Sequence, residues 1–164
     1  MDTDNLTRGA NNLDIDMFYR LYGLANISKI VELRGNDISK KDLTLYAEAF
    51  RTVEVYDELG FLRLASANDS LLGTAGDIVI SVSGVNIVVA YALRDTGIKL
   101  SVRSTCPRIK ANDLVHHIVE NTGVGGGHDH MAGGFIPREH LSDSRLIDTF
   151  LKHRAISFYE QSGL

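Results

Sequence analysis

Residues 85–104 read Val85-Asn86-Ile87-Val88-Val89-Ala90-Tyr91-Ala92-Leu93-Arg94-Asp95-Thr96-Gly97-Ile98-Lys99-Leu100-Ser101-Val102-Arg103-Ser104, and this stretch decides the fold. Side chains along a strand alternate between the two faces of a sheet. In the first half Val85, Ile87, Val89, Tyr91 and Leu93 share one face, while Val88, Ala90 and Ala92 share the other. A strand that is apolar on both faces is an inner strand. Asp95-Thr96-Gly97 then supplies a turn. The second half alternates strictly, with Ile98, Leu100 and Val102 toward a core and Lys99, Ser101 and Arg103 away from it.

Upstream, Leu71–Val82 fits either a helix or a strand, and Phe61–Ala65 is a short apolar strand. A helix opens at Ser39, whose side chain caps the first turn together with Asp42. Leu43, Tyr46, Ala49, Phe50, Val53 and Tyr56 mark its apolar face, and Gly60 stops it. The preceding residues are polar loop and helical pieces, with Met17, Phe18, Leu21 and Tyr22, then Ile27, Ile30 and Val31, at helical spacing. Downstream, Asn112 is placed to cap a helix carrying Leu114, Val115, Ile118 and Val119, which Gly123 closes. A glycine-rich loop, a strand Met131–Ile136 and a last helix from Ser142 or Asp143 through Phe158 complete the chain. The order predicts an α/β domain, a mixed β-sheet flanked by helices and preceded by a helical linker.

The 164 residues suffice for one domain with a proper core, and the single cysteine, Cys106, excludes an internal disulfide framework. No apolar run approaches the ~18 residues of a membrane span, and the polar, acidic start Met1-Asp2-Thr3-Asp4-Asn5 is no signal peptide. The expected location is the cytoplasm, with no membrane partner. A net charge of −4 argues against coating a long nucleic acid by bulk electrostatics. Between Arg94 and Lys110, however, five basic residues face one acidic residue, a local island suited to capturing a small anion.

Residues 123–134 hold six glycines, with Gly125, Gly126 and Gly127 in succession before His128. Such a run permits positive φ and close approach of a ligand to bare backbone, and converging N–H groups can form an anion nest. His128 adds a side-chain donor. No Gly-Lys-Ser or Gly-Lys-Thr follows, so this is not a P-loop, and the plain alternative is a flexible surface loop. Arg103 shifts the balance, because its planar fork of donors matches a phosphate and stays charged at physiological pH. It sits near the end of a strand, where α/β sheets commonly bind ligands.

Ser101-Val102-Arg103-Ser104, followed by Gly125-Gly126-Gly127-His128 and then Met131-Ala132-Gly133-Gly134, resembles the first subtype of the DHH-associated C-terminal domain of DHH-family phosphoesterases. These include RecJ-like exonucleases, oligoribonucleases and cyclic-dinucleotide phosphodiesterases, and the domain also occurs in alanyl-tRNA synthetases. The resemblance implies substrate contacts by Arg103, Gly126, Gly127 and His128, with Ser101, Ser104 and Gly125 beside them. It implies a nucleotide or short single-stranded nucleic acid as partner. Catalysis in that family belongs to an N-terminal DHH domain holding two manganese ions, which activate water and clamp the phosphoryl group.

No Asp-His-His motif is present, so no catalytic residue is expected in this chain, and no metal for the chain alone. Asp2-Thr3 resembles the last metal-ligand motif of the DHH domain, making Asp2 a remnant ligand. On this reading residues 1–12 are the tail of a DHH domain, 13–37 a helical linker and 38–164 the substrate-binding domain. A homodimer is compatible with it. The expected function is the substrate-binding half of a manganese-dependent phosphodiesterase, exonuclease or phosphatase, not catalytic alone. One alternative is a stand-alone nucleic-acid-binding module. Another is a metal site from His128, Asp129, His130 and His140, which have no strand or helix to fix their geometry.

Overall fold

The computed structural model describes residues 6, 9–34, 39–65, 67–141 and 146–163. The chain divides into two units, Met1–Ile38 and Ser39–Leu164. The first contains α1 (Asn12–Tyr22) and α2 (Ile27–Arg34). Asn11 opens α1 with a reciprocal capping box to Asp14, yet no residue of α1 is buried.

The second unit runs α3 (Lys40–Arg51), β1 (Glu54–Tyr56), β2 (Leu59–Leu64), α4 (Asp69–Ile80), β3 (Ile87–Arg94), β4 (Gly97–Ser104), α5 (Ala111–Val119), β5 (Val124–Gly127), β6 (Met131–Pro137) and α6 (Ile147–Gln161). The mixed α/β architecture is as the sequence predicts. One six-stranded sheet has the order β1-β2-β3-β4-β6-β5, antiparallel except for the β2–β3 pair. That parallel pair requires a crossover, which α4 provides.

β3 lies in the middle with both faces buried, as its double apolar pattern requires. Ile87, Val89 and Tyr91 join Ile98, Leu100 and Val102 of β4 in a core under α5 and α6. Val88, Ala90 and Ala92 join Leu62, Leu64 and the apolar face of α4 in a second core on the opposite side. Val85 precedes the strand and packs into that second core, not with Ile87.

Several local readings are corrected. The helix at Ser39 is capped as expected but ends at Arg51, because Thr52 leaves the helical region and Glu54–Tyr56 pairs with Leu59–Phe61. The intervening turn puts Asp57 at φ 49, a conformation Asp tolerates. Gly60 is inside β2, with Val85 Cγ1 only 3.2 Å from where its Cβ would lie. Leu71–Val82 resolves as helix, capped by the Asn68 side chain on the Leu71 N–H at 2.8 Å. Asn112 does not cap α5; Lys110 holds that position without a side-chain bond. The expected start of the last helix, Ser142 or Asp143, lies outside the described residues.

Candidate functional site

Register across the sheet builds the site. Ala90 pairs with Ser101, Ser101 with Gly133, and Gly133 with Gly126. This row of minimal side chains crosses four strands on the face that α4 covers at β2–β4 and leaves uncovered farther along. On one side of the row lie Arg103 and its partner Met131, and on the other lies Lys99. The resulting cleft has a volume of about 330 Å³ and is lined by Asp69, Gly73, Lys99, Ser101, Arg103, Gly126, Gly127, Met131 and Gly133, among others.

Arg103 is held in place by the protein. Its side chain is only 12% exposed, and Nε donates to Asp77 Oδ1 at 2.5 Å. Nη1 donates to Ser101 Oγ at 2.8 Å and to the Val102 carbonyl at 3.3 Å. Nη2 lies beside Gly73 and has no hydrogen-bond acceptor among the described residues. The guanidinium therefore presents one nitrogen to the cleft, where the sequence suggested an open fork. At the other wall Asp69 accepts from Arg94 Nη2 at 2.6 Å and from Lys99 Nζ at 3.3 Å. The Arg94 hydrogen bond, against the cost of burial and with help from Lys99, holds the Asp69 carboxyl below the usual carboxylate range.

The basic island is thus largely compensated. Lys110 pairs with Asp129 at 3.0 Å, and Arg108 donates to the Gly163 carbonyl. Local anion attraction comes from Arg103 Nη2 and the half-paired Lys99, not from an uncompensated patch.

The glycine run is a strand, which corrects the expected loop. None of Gly125, Gly126 and Gly127 has positive φ. The His128 N–H donates to the Met131 carbonyl at 2.7 Å and the Gly127 N–H to Asn112 Oδ1 at 3.0 Å. In an antiparallel ladder N–H directions alternate, so the Gly126 N–H points into the pairing with β6. Successive N–H groups consequently do not converge into a nest. The glycines serve packing: a Cβ at Gly125 would lie 3.2 Å from Val115 Cγ2, and one at Gly127 would lie 2.5 Å from Ala132 Cα. At Gly126, which lines the cleft, the nearest atom to a Cβ is His116 Nε2 at 4.0 Å, an ordinary contact, so a small side chain fits there without a clash.

The cleft brings together Arg103, Ser101, Gly126 and Gly127. Gly125 faces Val115 instead. Ser104 is buried, donating through Oγ to the Ile109 carbonyl and accepting from the Cys106 N–H at 3.2 Å. His128 is exposed and is not among the cleft-lining residues. Asp2 lies outside the described residues. His130 Nδ1 is 3.0 Å from the Ser104 carbonyl and His140 Nδ1 is 2.7 Å from that of Thr122, so these histidines are engaged apart. Among the described residues no group of three or more His, Cys, Asp or Glu could hold a metal ion. Sequence reasoning did not connect Gly73, Gly76, Asp77 or Asn112 with the site, because all four are on helices that reach it across space.

A second cleft of about 380 Å³ lies by α3 and α6. There Arg63 pairs with Asp148 at 2.7 Å and Lys152 with Glu54 at 2.7 Å. Burial first, then Asp148, raises the Tyr91 hydroxyl pKa, so it stays a donor to Asp148. These four charges pair with one another.

The family described as the DHHA1 domain matches residues 58–153. No curated protein sequence matches the chain. Among solved structures, an exopolyphosphatase-related protein from Bacteroides fragilis is similar over 99% of this chain and 48% of its own, at 18% identity and a TM-score of 0.75. RecJ from Thermus thermophilus, in complex with Mn²⁺, is similar over 73% of this chain and 16% of its own, at 18% identity and a TM-score of 0.54. The C-Ala domain of alanyl-tRNA synthetase from Aquifex aeolicus is similar over 63% of this chain and 97% of its own, at 14% identity and a TM-score of 0.50. The chain thus spans about half of the first of these proteins and a sixth of the second. No helix among the described residues is long and apolar enough to cross a membrane.

Proposed function

The chain belongs to the DHHA1 domain family, the DHH-associated domain of DHH-family phosphoesterases, and from that premise we propose that it binds the phosphate of a nucleotide or the end of a short single-stranded nucleic acid. The observation that carries this reading is that Arg103, with Nη2 beside Gly73, lines one cleft together with Ser101, Gly133 and Gly126. The cleft volume is at the lower end of the ~300–1,000 Å³ typical of ligand sites, which suits one nucleotide unit. His128, one residue beyond the cleft, is a further contact in this reading.

Hydrolysis is assigned to a DHH domain outside these residues. RecJ from Thermus thermophilus is solved with Mn²⁺ and with Mg²⁺. The described residues here do not fit a metal centre. Residues 1–12 are assigned to the tail of that domain and 13–37, carrying α1 beyond its first residue and α2, to the link between the two. The chain alone is then a binder and not a catalyst.

The test is titration of the ¹⁵N-labelled chain with adenosine monophosphate. Amides at 101–105 and 125–129 should move together, with an affinity of about millimolar, or about 4 kcal/mol. Arg103→Ala should abolish the response. Gly126→Val, whose Cβ meets only the His116 ring, with Nε2 at 4.0 Å, should abolish it with the fold intact. If both variants bind like the parent, the site lies elsewhere. The second reading is a stand-alone nucleic-acid module, since a similar fold also occurs as a domain of alanyl-tRNA synthetase. Tight binding that grows with oligonucleotide length would select it.

A further inference from the structure

Helix α4 carries Gly73-Thr74-Ala75-Gly76-Asp77, placing two glycines and an aspartate at i, i+3 and i+4 on one helical face. Glycine inside a helix is unfavourable relative to alanine. Here each glycine lies against a different part of the same side chain. A Cβ at Gly76 would lie 3.5 Å from Arg103 Cγ, and one at Gly73 would lie 3.1 Å from Arg103 Nη2. The helix is hollowed into a track along the arginine, and between those two points of the side chain Asp77 accepts from Nε.

We propose that this track is a positioning device, with Asp77 as the positioning residue that fixes the guanidinium plane so that Nη2 faces the cleft. The proposal rests on the reading of the cleft as a phosphate site. Three contacts define the plane: Asp77 on Nε, and Ser101 Oγ and the Val102 carbonyl on Nη1. Asp77 is 61% exposed, so its loss should cost the fold little, whereas Arg103 is 12% exposed and loses one of its anchors. The space above Gly73 is the room a phosphate oxygen needs to reach Nη2.

Charge and orientation pull in opposite directions, and this makes the proposal testable. As a mere counter-ion, Asp77 would oppose anion binding, and any neutral replacement would tighten it. As a positioning residue, Asp77→Asn keeps an acceptor for Nε and should bind adenosine monophosphate at least as well as the parent. Asp77→Ala should bind about tenfold more weakly than Asp77→Asn, a difference of about 1.4 kcal/mol. The two melting temperatures should agree, and the Arg103 Nε–H resonance should be sharp in the parent and Asn variant but broadened in the Ala variant.

Gly73→Ala provides the second arm. A better helix former should leave the melting temperature equal or higher, while the added methyl pushes Nη2 aside and weakens binding. The proposal is overturned if Asp77→Ala and Asp77→Asn bind equally or both more tightly, with an unchanged Nε–H signal. It is also overturned if Gly73→Ala binds like the parent. Retained binding by Arg103→Ala would instead sink the reading of the cleft itself.

Discussion

Asp69 shows how much a single side chain does here. It stands in the first turn of α4, where a carboxylate also complements the helix dipole, and it takes bonds from both Arg94 and Lys99. Its folded pKa is lowered, so its contribution to stability is present above the unfolded carboxylate pKa and is lost as pH falls through the lower folded value. Compared with the parent, Asp69→Asn should be less stable at neutral pH, with the gap closing below about pH 4. Urea melts of both proteins across that range would check it. A constant gap would mean that the carboxylate charge is irrelevant. The role of Asp69 was not legible in the sequence, since its partners are 25 and 30 residues away.

Among the elements, local signals were read well and cross-chain ones were not. The Ser39–Asp42 cap and the alternations of β3 and β4 act within a few residues, and the structure contains all three. Val53 and Tyr56 sit at helical spacing after Tyr46 and Ala49, so the end of the helix before Val53 and the place of Tyr56 in β1 were hidden by a coincidence of period. Asn112 has the right chemistry for a cap but spends its Oδ1 on Gly127, fifteen residues on. The three glycines were read for their freedom, whereas Gly126 lines the cleft, Gly127 is thin against β6 and Gly125 is thin under α5. Gly134 states this most sharply: a Cβ there would lie 2.9 Å from Val115 Cγ2 and 3.1 Å from Val119 Cγ1. Gly134→Val should therefore lift α5 from the sheet and destabilise by about 1–3 kcal/mol. Chemical denaturation would measure it, and a loss under a few tenths would show that the helix seat is pliable.

At the scale of the whole molecule, both cores are built from residues between Tyr46 and Tyr159. A chain trimmed to residues 39–164 should keep the parent melting temperature within a few degrees and keep the adenosine monophosphate response. Calorimetry and the same titration would decide, and a trimmed protein that does not melt cooperatively would mean that residues 1–38 support the fold. The candidate arginine was legible because Ser101-Val102-Arg103-Ser104 is a contiguous string; the groove that orients it was not, because α4 precedes it by two strands. The cleft draws on α4, β4, β5 and β6, and no single hairpin contains it. It can exist only after the β2–α4–β3 crossover has closed and the β5–β6 hairpin has docked on β4, the steps with the longest loops to order. An occupant therefore recognises a finished chain and no earlier species. It acts as a brake on unfolding and offers no help to folding.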